Sequence, residues 1–301
     1  MSDVVVLLVQ QVVVMFLLMV VGFMIYKIGM IDQKGVSQLT NVVLYVATPA
    51  TIINSFFAEY DAQILYKGLW EAGLGIVMLV INLLLTFTVF RKMSDLGKFG
   101  IIVSNVGFLG IPLVQMVLGQ QAVFYMTMIV AVQTIATFTY GVYLISHDRS
   151  LISIRKIVTN PPIVGVVLGL LIYCLRIPVP AVAQRTVSMI GACNAPLAMM
   201  MIGTYLGDAD FKKVIAEKET YLILAGRLLV APALALLVFR MVPEALRDVS
   251  SVAMIAASTP VAGAMAMFSQ KYGGDYAYGA GIVSISTILS LITMPLFLAL
   301  L

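Results

Sequence analysis

The residues best placed to do chemistry lie inside two apolar stretches, each interrupted by a proline. In VSNVGFLGIPLVQ, Ser104 and Asn105 precede Gly107, Gly110 and Pro112; in AASTPVAGAMAMF, Ser258, Thr259 and Pro260 run together. A proline inside a helix removes one backbone hydrogen bond and clashes with the turn before it. In hydrocarbon that loss is tolerated only where protein or a polar cavity re-satisfies the freed groups. Two such breaks would leave half-helix amides near the middle of a bilayer, where their dipoles favour an anion. Asn105 adds donor and acceptor groups beside the first break. The plainer alternative is a glycine-lined packing face with Asn105 bonded to a neighbouring helix. For Ser258 and Thr259 it is a pair of hydroxyls bonded back to their own helix.

Arg227, in LAGRLLVAPAL, is the one basic residue well inside an apolar stretch. It either holds carbonyls of a broken helix, snorkels to the surface, or supplies positive potential for an anion. Asn82 and Gln133 read as isolated interhelical hydrogen bonds. None of the fourteen acidic residues falls centrally in an apolar stretch, and Glu71 comes closest. That argues against a cation as substrate and against proton coupling through a buried carboxylate. It leaves open sodium held by carbonyls and hydroxyls. Paired aspartates, a serine with a basic partner, or His–Glu metal spacing would mark an intramembrane enzyme, and the sequence holds none. No cofactor or metal is expected. Cys174 and Cys193 read as small hydrophobes, His147 lacks partners, and nineteen methionines read as adaptable packing.

These residues need membrane helices to position them. Of 301 residues, 61% are hydrophobic and 11% charged, and mean hydropathy is +1.06. Soluble domains carry about 25% charge, so the composition implies a chain embedded in a lipid bilayer. Net charge is only +4 and the basic residues are scattered among loops, which excludes a nucleic-acid face. The first apolar run, Val4–Tyr26, has no basic leader and is long enough to cross, so it reads as a span rather than a signal peptide.

Crossing takes about 20 residues, and on that basis ten spans are expected: 4–26, 39–57, 64–90, 99–118, 122–145, 161–175, 182–206, 220–241, 249–268 and 276–301. Twelve of the eighteen basic residues, from Lys27 to Lys271, fall in one alternating set of loops. Five (Lys67, Arg176, Arg185, Arg240 and Arg247) fall in the other. The positive-inside rule then places both termini outside and the loop between spans five and six in the cytoplasm. Pro49 and Pro196 are 147 positions apart, and Pro112 and Pro260 are 148 apart, in spans of matching rank. Five spans per half is an odd number, so residues 1–148 and 149–301 are expected to form two inverted five-helix repeats.

An ordered set of segments carries a family resemblance along nearly the whole chain: NVVLYVATPATIINSF, SNVGFLGIPLVQMVLG, NPPIVGVVLGLL, AGRLLVAPAL, ASTPVAGAMAMFSQKYGGD and STILSLITMPLFLALL. The chain resembles the auxin efflux carrier family, which includes plant auxin exporters and bacterial permeases for malonate or malate. The resemblance implies an all-α membrane fold like that of bile-acid symporters and sodium/proton antiporters, with helices 4 and 9 broken and crossing. Spans 1, 2, 6 and 7 would form a scaffold, as a homodimer, and spans 3–5 and 8–10 a transport unit moving as an elevator. It places a carboxylate-binding asparagine seven residues before the fourth-helix proline, where Asn105 stands relative to Pro112. Arg227 matches a family arginine.

The plant exporters' long cytoplasmic loop is missing here, and STPVAGA departs from their ninth-helix pattern. The expected substrate is therefore a small organic acid, and the expected location a prokaryotic inner membrane. The alternatives are a sodium-coupled symporter of the same fold and a non-transporting membrane sensor.

Overall fold

The computed structural model describes residues 2–301, apart from the side chains of residues 2–9 and of Asp208. Twelve principal helices run in order: α1 Ser2–Lys27, α2 Gln33–Ser55, α3 Ala62–Thr88, α4 Asp95–Ile102, α5 Val106–Leu118, α6 Gln120–Ser146, α7 Pro161–Cys174, α8 Ala181–Gly207, α9 Lys218–Phe239, α10 Arg247–Ser258, α11 Ala264–Tyr272 and α12 Tyr276–Leu300. Seven of them (α1, α2, α3, α6, α8, α9 and α12) are long and apolar enough to cross a membrane. The expected ends hold to within a few residues for most spans. Among the described residues the one β feature is a single antiparallel bridge, Ser104 to Val261.

Prolines act differently here from the sequence-based expectation. Pro112 does not break its helix. The interruption lies earlier, at 103–105, and Pro112 sits buried in the second position of a regular segment, Ile111–Leu118. A π-helical turn, Val106–Gly110, immediately precedes that segment. The same arrangement recurs at Pro49, after the turn Val43–Ala47, and at Pro232, after Gly226–Val230. A widened turn carries the ring past the carbonyl it would otherwise strike and absorbs the missing N–H. Pro260 differs, lying in the extended segment between α10 and α11, and α12 runs unbroken through Pro295.

Two sets of packed helices can be followed, joined where α12 also packs on α1 and α8. In the first, α1 lies backbone to backbone against α8, because a Cβ at Gly22 would fall 2.0 Å from the Met200 carbonyl oxygen and one at Gly203 2.0 Å from that of Met19. Glycine at such crossings lets van der Waals contact replace the hydrophobic drive that lipid cannot supply. α2 packs on α7 and α8, and the Thr48 hydroxyl donates to Asn194 Oδ1 at 2.9 Å. In the second group α3 packs on α6 through Gly68 and Gly75, α10 packs on both, and α11 packs on α12.

Where the groups meet, at the Ser55 end of α2, Phe56 and Phe124 have ring centroids 4.7 Å apart, and Phe124 and Tyr173 5.2 Å. Tyr173 Oη accepts the Asp61 N–H at 2.9 Å, and its hydroxyl faces the Asp61 carbonyl at 3.1 Å. These aromatic rings fill that end of the interface.

Candidate functional site

The two interrupted helices meet at their gaps. α4 ends at Ile102 and α5 begins at Val106; α10 ends at Ser258 and α11 begins at Ala264. The intervening segments cross antiparallel. Asn105 N–H donates to the Pro260 carbonyl at 2.9 Å, and Ala262 N–H to the Val103 carbonyl at 3.2 Å. Val261 N–H reaches Ser286 Oγ at 3.3 Å. Much of the freed backbone is thus satisfied by the partner segment, and the expected wholly naked amides are not found. What stays open is the first turn of α5, whose leading N–H groups have no intrahelical acceptor.

The carbonyl ends are held by side chains. Arg227 is fully buried, and the π-turn Gly226–Val230 sets its direction. Its Nε donates to the Thr259 carbonyl and its Nη2 to that of Ala257, both at 2.8 Å; Nη1 lies 3.4 Å from the Ile101 carbonyl. One guanidinium therefore joins the C-terminal ends of α4 and α10, where the helix dipoles are negative. Gln133 Nε2 donates to the Ile102 carbonyl at 2.9 Å, and Asn82 Nδ2 lies 3.5 Å from the same oxygen.

A cavity of about 100 Å³ opens beside the crossing, lined among others by Thr48, Ser104, Asn105, Gly107, Gln133 and Asn160. All five side chains are buried. Asn105 Nδ2, Ser104 Oγ, Gln133 Oε1 and Asn160 Oδ1 have no hydrogen-bond partner among the described residues. Buried polar atoms are normally paired, and four unpaired ones gather around this otherwise largely apolar cavity. Gly107 belongs to the same design: a Cβ there would meet nothing within 4 Å, so this glycine is not a packing contact.

Leu44, Phe138 and Asn160 also line a larger cavity of about 750 Å³, which continues toward Lys156 and Lys271. Among the described residues, that vestibule carries two lysines and no Asp or Glu on its walls.

Of the sequence-derived candidates, Asn105 and Gly107 face the cavity. Pro260 accepts Asn105 across the bridge. Thr259 holds its own turn, donating to the Ala256 carbonyl at 2.7 Å, and Arg227 sits behind it on the carbonyls. Ser258 Oγ is buried without a partner, away from the cavity wall, and Pro112 packs in α5. Thr48 and Asn160 escaped sequence reading because both lie far in sequence from the two crossing segments. Only the topology brings α2 and the start of α7 onto the crossing.

The expectation that no carboxylate is buried among the spans is overturned. Glu71, about a third of the way along α3, is fully enclosed, and neither carboxyl oxygen has a hydrogen-bond partner among the described residues.

Comparison with known proteins places this architecture. The chain is 27% identical to an uncharacterized transporter of Methanothermobacter thermautotrophicus, over 96% of each chain. The family model described as membrane transport protein matches residues 7–154 and 147–298. With nearly its whole length matched, the chain belongs to that family, the auxin efflux carriers.

Proposed function

We propose that this membrane transporter is a secondary carrier for a small organic anion, bound through its carboxylate at the helix crossing. The observation carrying this reading is the unpartnered Asn105 Nδ2 in the cavity at the first turn of α5. An amide donor, a serine hydroxyl and helix N-terminal N–H groups together suit a carboxylate. Gln133 Oε1 and Asn160 Oδ1 would accept from a hydroxyl or a protonated acid on the same molecule.

Counting α4 with α5, and α10 with α11, as single crossings and adding the short α7 to the seven long helices gives ten spans in two five-span halves. The reading treats these as inverted repeats. It makes α1, α2, α7 and α8 the scaffold of a homodimer and the remaining helices an elevator-type transport unit, consistent with the two packed groups. The positive-inside bias makes the lysine-lined vestibule cytoplasmic, in a prokaryotic inner membrane with both termini outside.

The sodium-coupled alternative is less well supported. The carbonyls at the ends of α4 and α10 that would suit a cation already accept from Arg227, Gln133 and Asn82.

The test is a thermal-shift screen of small dicarboxylates and hydroxy acids on purified protein, since ligand binding raises apparent stability. Uptake of the best acid into liposomes follows, with and without a sodium gradient. Asn105→Ala is expected to abolish the ligand-induced shift and to cut uptake at least tenfold. Unchanged uptake in that variant overturns the site, and a strict sodium requirement restores the symporter reading.

A further inference from the structure

Glu71 is the buried ionisable group that the proposed carboxylate site does not use. It lies on the inward stripe of α3 with Gly68, Gly75 and Asn82, at the seam where the two glycines admit α6 against Phe124 and Ile129. Its relative exposure is 0%, and neither carboxyl oxygen has a partner among the described residues. A lone carboxylate in such surroundings is costly enough that the group ordinarily neutralises or finds a partner.

The partner within reach is occupied. Lys67 stands four residues earlier on α3, the spacing at which helix side chains meet, but its Nζ is 2.8 Å from Asp248 Oδ2 on α10. Two other titratable groups lie near Lys67: Asp61, the N-cap of α3, which accepts Gln63 N–H, and Tyr125 on α6, whose hydroxyl accepts from Gln121 at 3.0 Å. The part of α9 packed on α3, Ala231–Phe239, contributes no titratable side chain.

We propose that Glu71 is a proton-binding site that couples the carrier to the proton gradient. It holds a proton in the conformation seen here, and Lys67 exchanges Asp248 for Glu71 when that proton leaves. The inference rests on the anion-carrier reading and adds its coupling ion. The proton arrives from water on one face, resides on a Glu71 oxygen while the anion is carried, and returns to water on the other face. No bond other than O–H is made or broken.

Two measurements on the full-length protein test this. Infrared spectra of wild type and Glu71→Gln in nanodiscs at neutral pH need no substrate. Wild type is expected to show a protonated-carboxyl C=O band that the variant lacks, and Lys67→Met is expected to keep that band to higher pH. A band that survives Glu71→Gln, or no band at all, overturns the proposal.

In liposomes loaded with a pH-sensitive dye, uptake of the acid identified by the screen is expected to accelerate several-fold under an inward proton gradient in wild type. Glu71→Gln is expected to keep downhill exchange but to lose that acceleration and the accompanying dye signal. Retained acceleration in Glu71→Gln overturns the coupling. Loss of all carboxylate binding to wild type would instead overturn the anion reading and leave the infrared result standing.

Discussion

A methyl group added at Gly107 would meet no atom within 4 Å, yet Gly107 lines the same cavity as the orphaned Asn105 amide. Gly107→Ala is therefore expected to leave thermal unfolding within about 0.5 kcal/mol of wild type, as for substitutions that touch nothing. It is also expected to weaken acid binding several-fold. Thermal shift with and without ligand reads both, and a large drop in unligated stability would return Gly107 to a packing role. Arg227 predicts the reverse. Its guanidinium serves three carbonyls at the ends of α4 and α10, and charge-assisted hydrogen bonds are worth about 1.5–3 kcal/mol each. Arg227→Met should cost at least about 3 kcal/mol in detergent unfolding. Lysine should recover only part of this, because a single ammonium cannot span the fork. Equal stability of all three proteins would show that the carbonyls find other donors.

Helix ends carry the protein's clearest acid sensitivity. Asp275 caps α12 by accepting Tyr278 N–H at 3.0 Å and also pairs with Lys213. The Lys213 hydrogen bond holds the Asp275 carboxyl below its ordinary value, and the same contact raises Lys213. A depressed carboxyl adds stability above the unfolded-state value near 3.9, lost as pH falls through the folded one. Melting temperature should thus fall below about pH 4, with a shallower acid limb in Asp275→Asn, and identical limbs would contradict this.

The elements also show what a linear reading can recover. Long spans were legible because hydrocarbon demands unbroken apolar runs, and Asn105 stood out as a donor beside helix breakers. The position of the break was not. Proline marks a lost N–H, but whether a π-turn absorbs it depends on neighbouring helices, as at Pro49, Pro112 and Pro232. The burial of Glu71 was not legible, because distance from a span end says nothing about how many helices surround a residue.

For the whole molecule, the crossing ties the two halves of the chain together at their centre. Each interrupted segment satisfies a backbone N–H of the other, and one side chain from the second half holds a carbonyl of the first. The exposed connector around Asp148–Ser150 contributes nothing to that junction. A chain severed there should behave as a two-piece complementation system. Co-expressed fragments should co-purify and melt as one species, whereas either alone should be degraded, because its central polar backbone would face lipid without a mate. A stable, monodisperse N-terminal fragment would mean that the halves merely lie side by side.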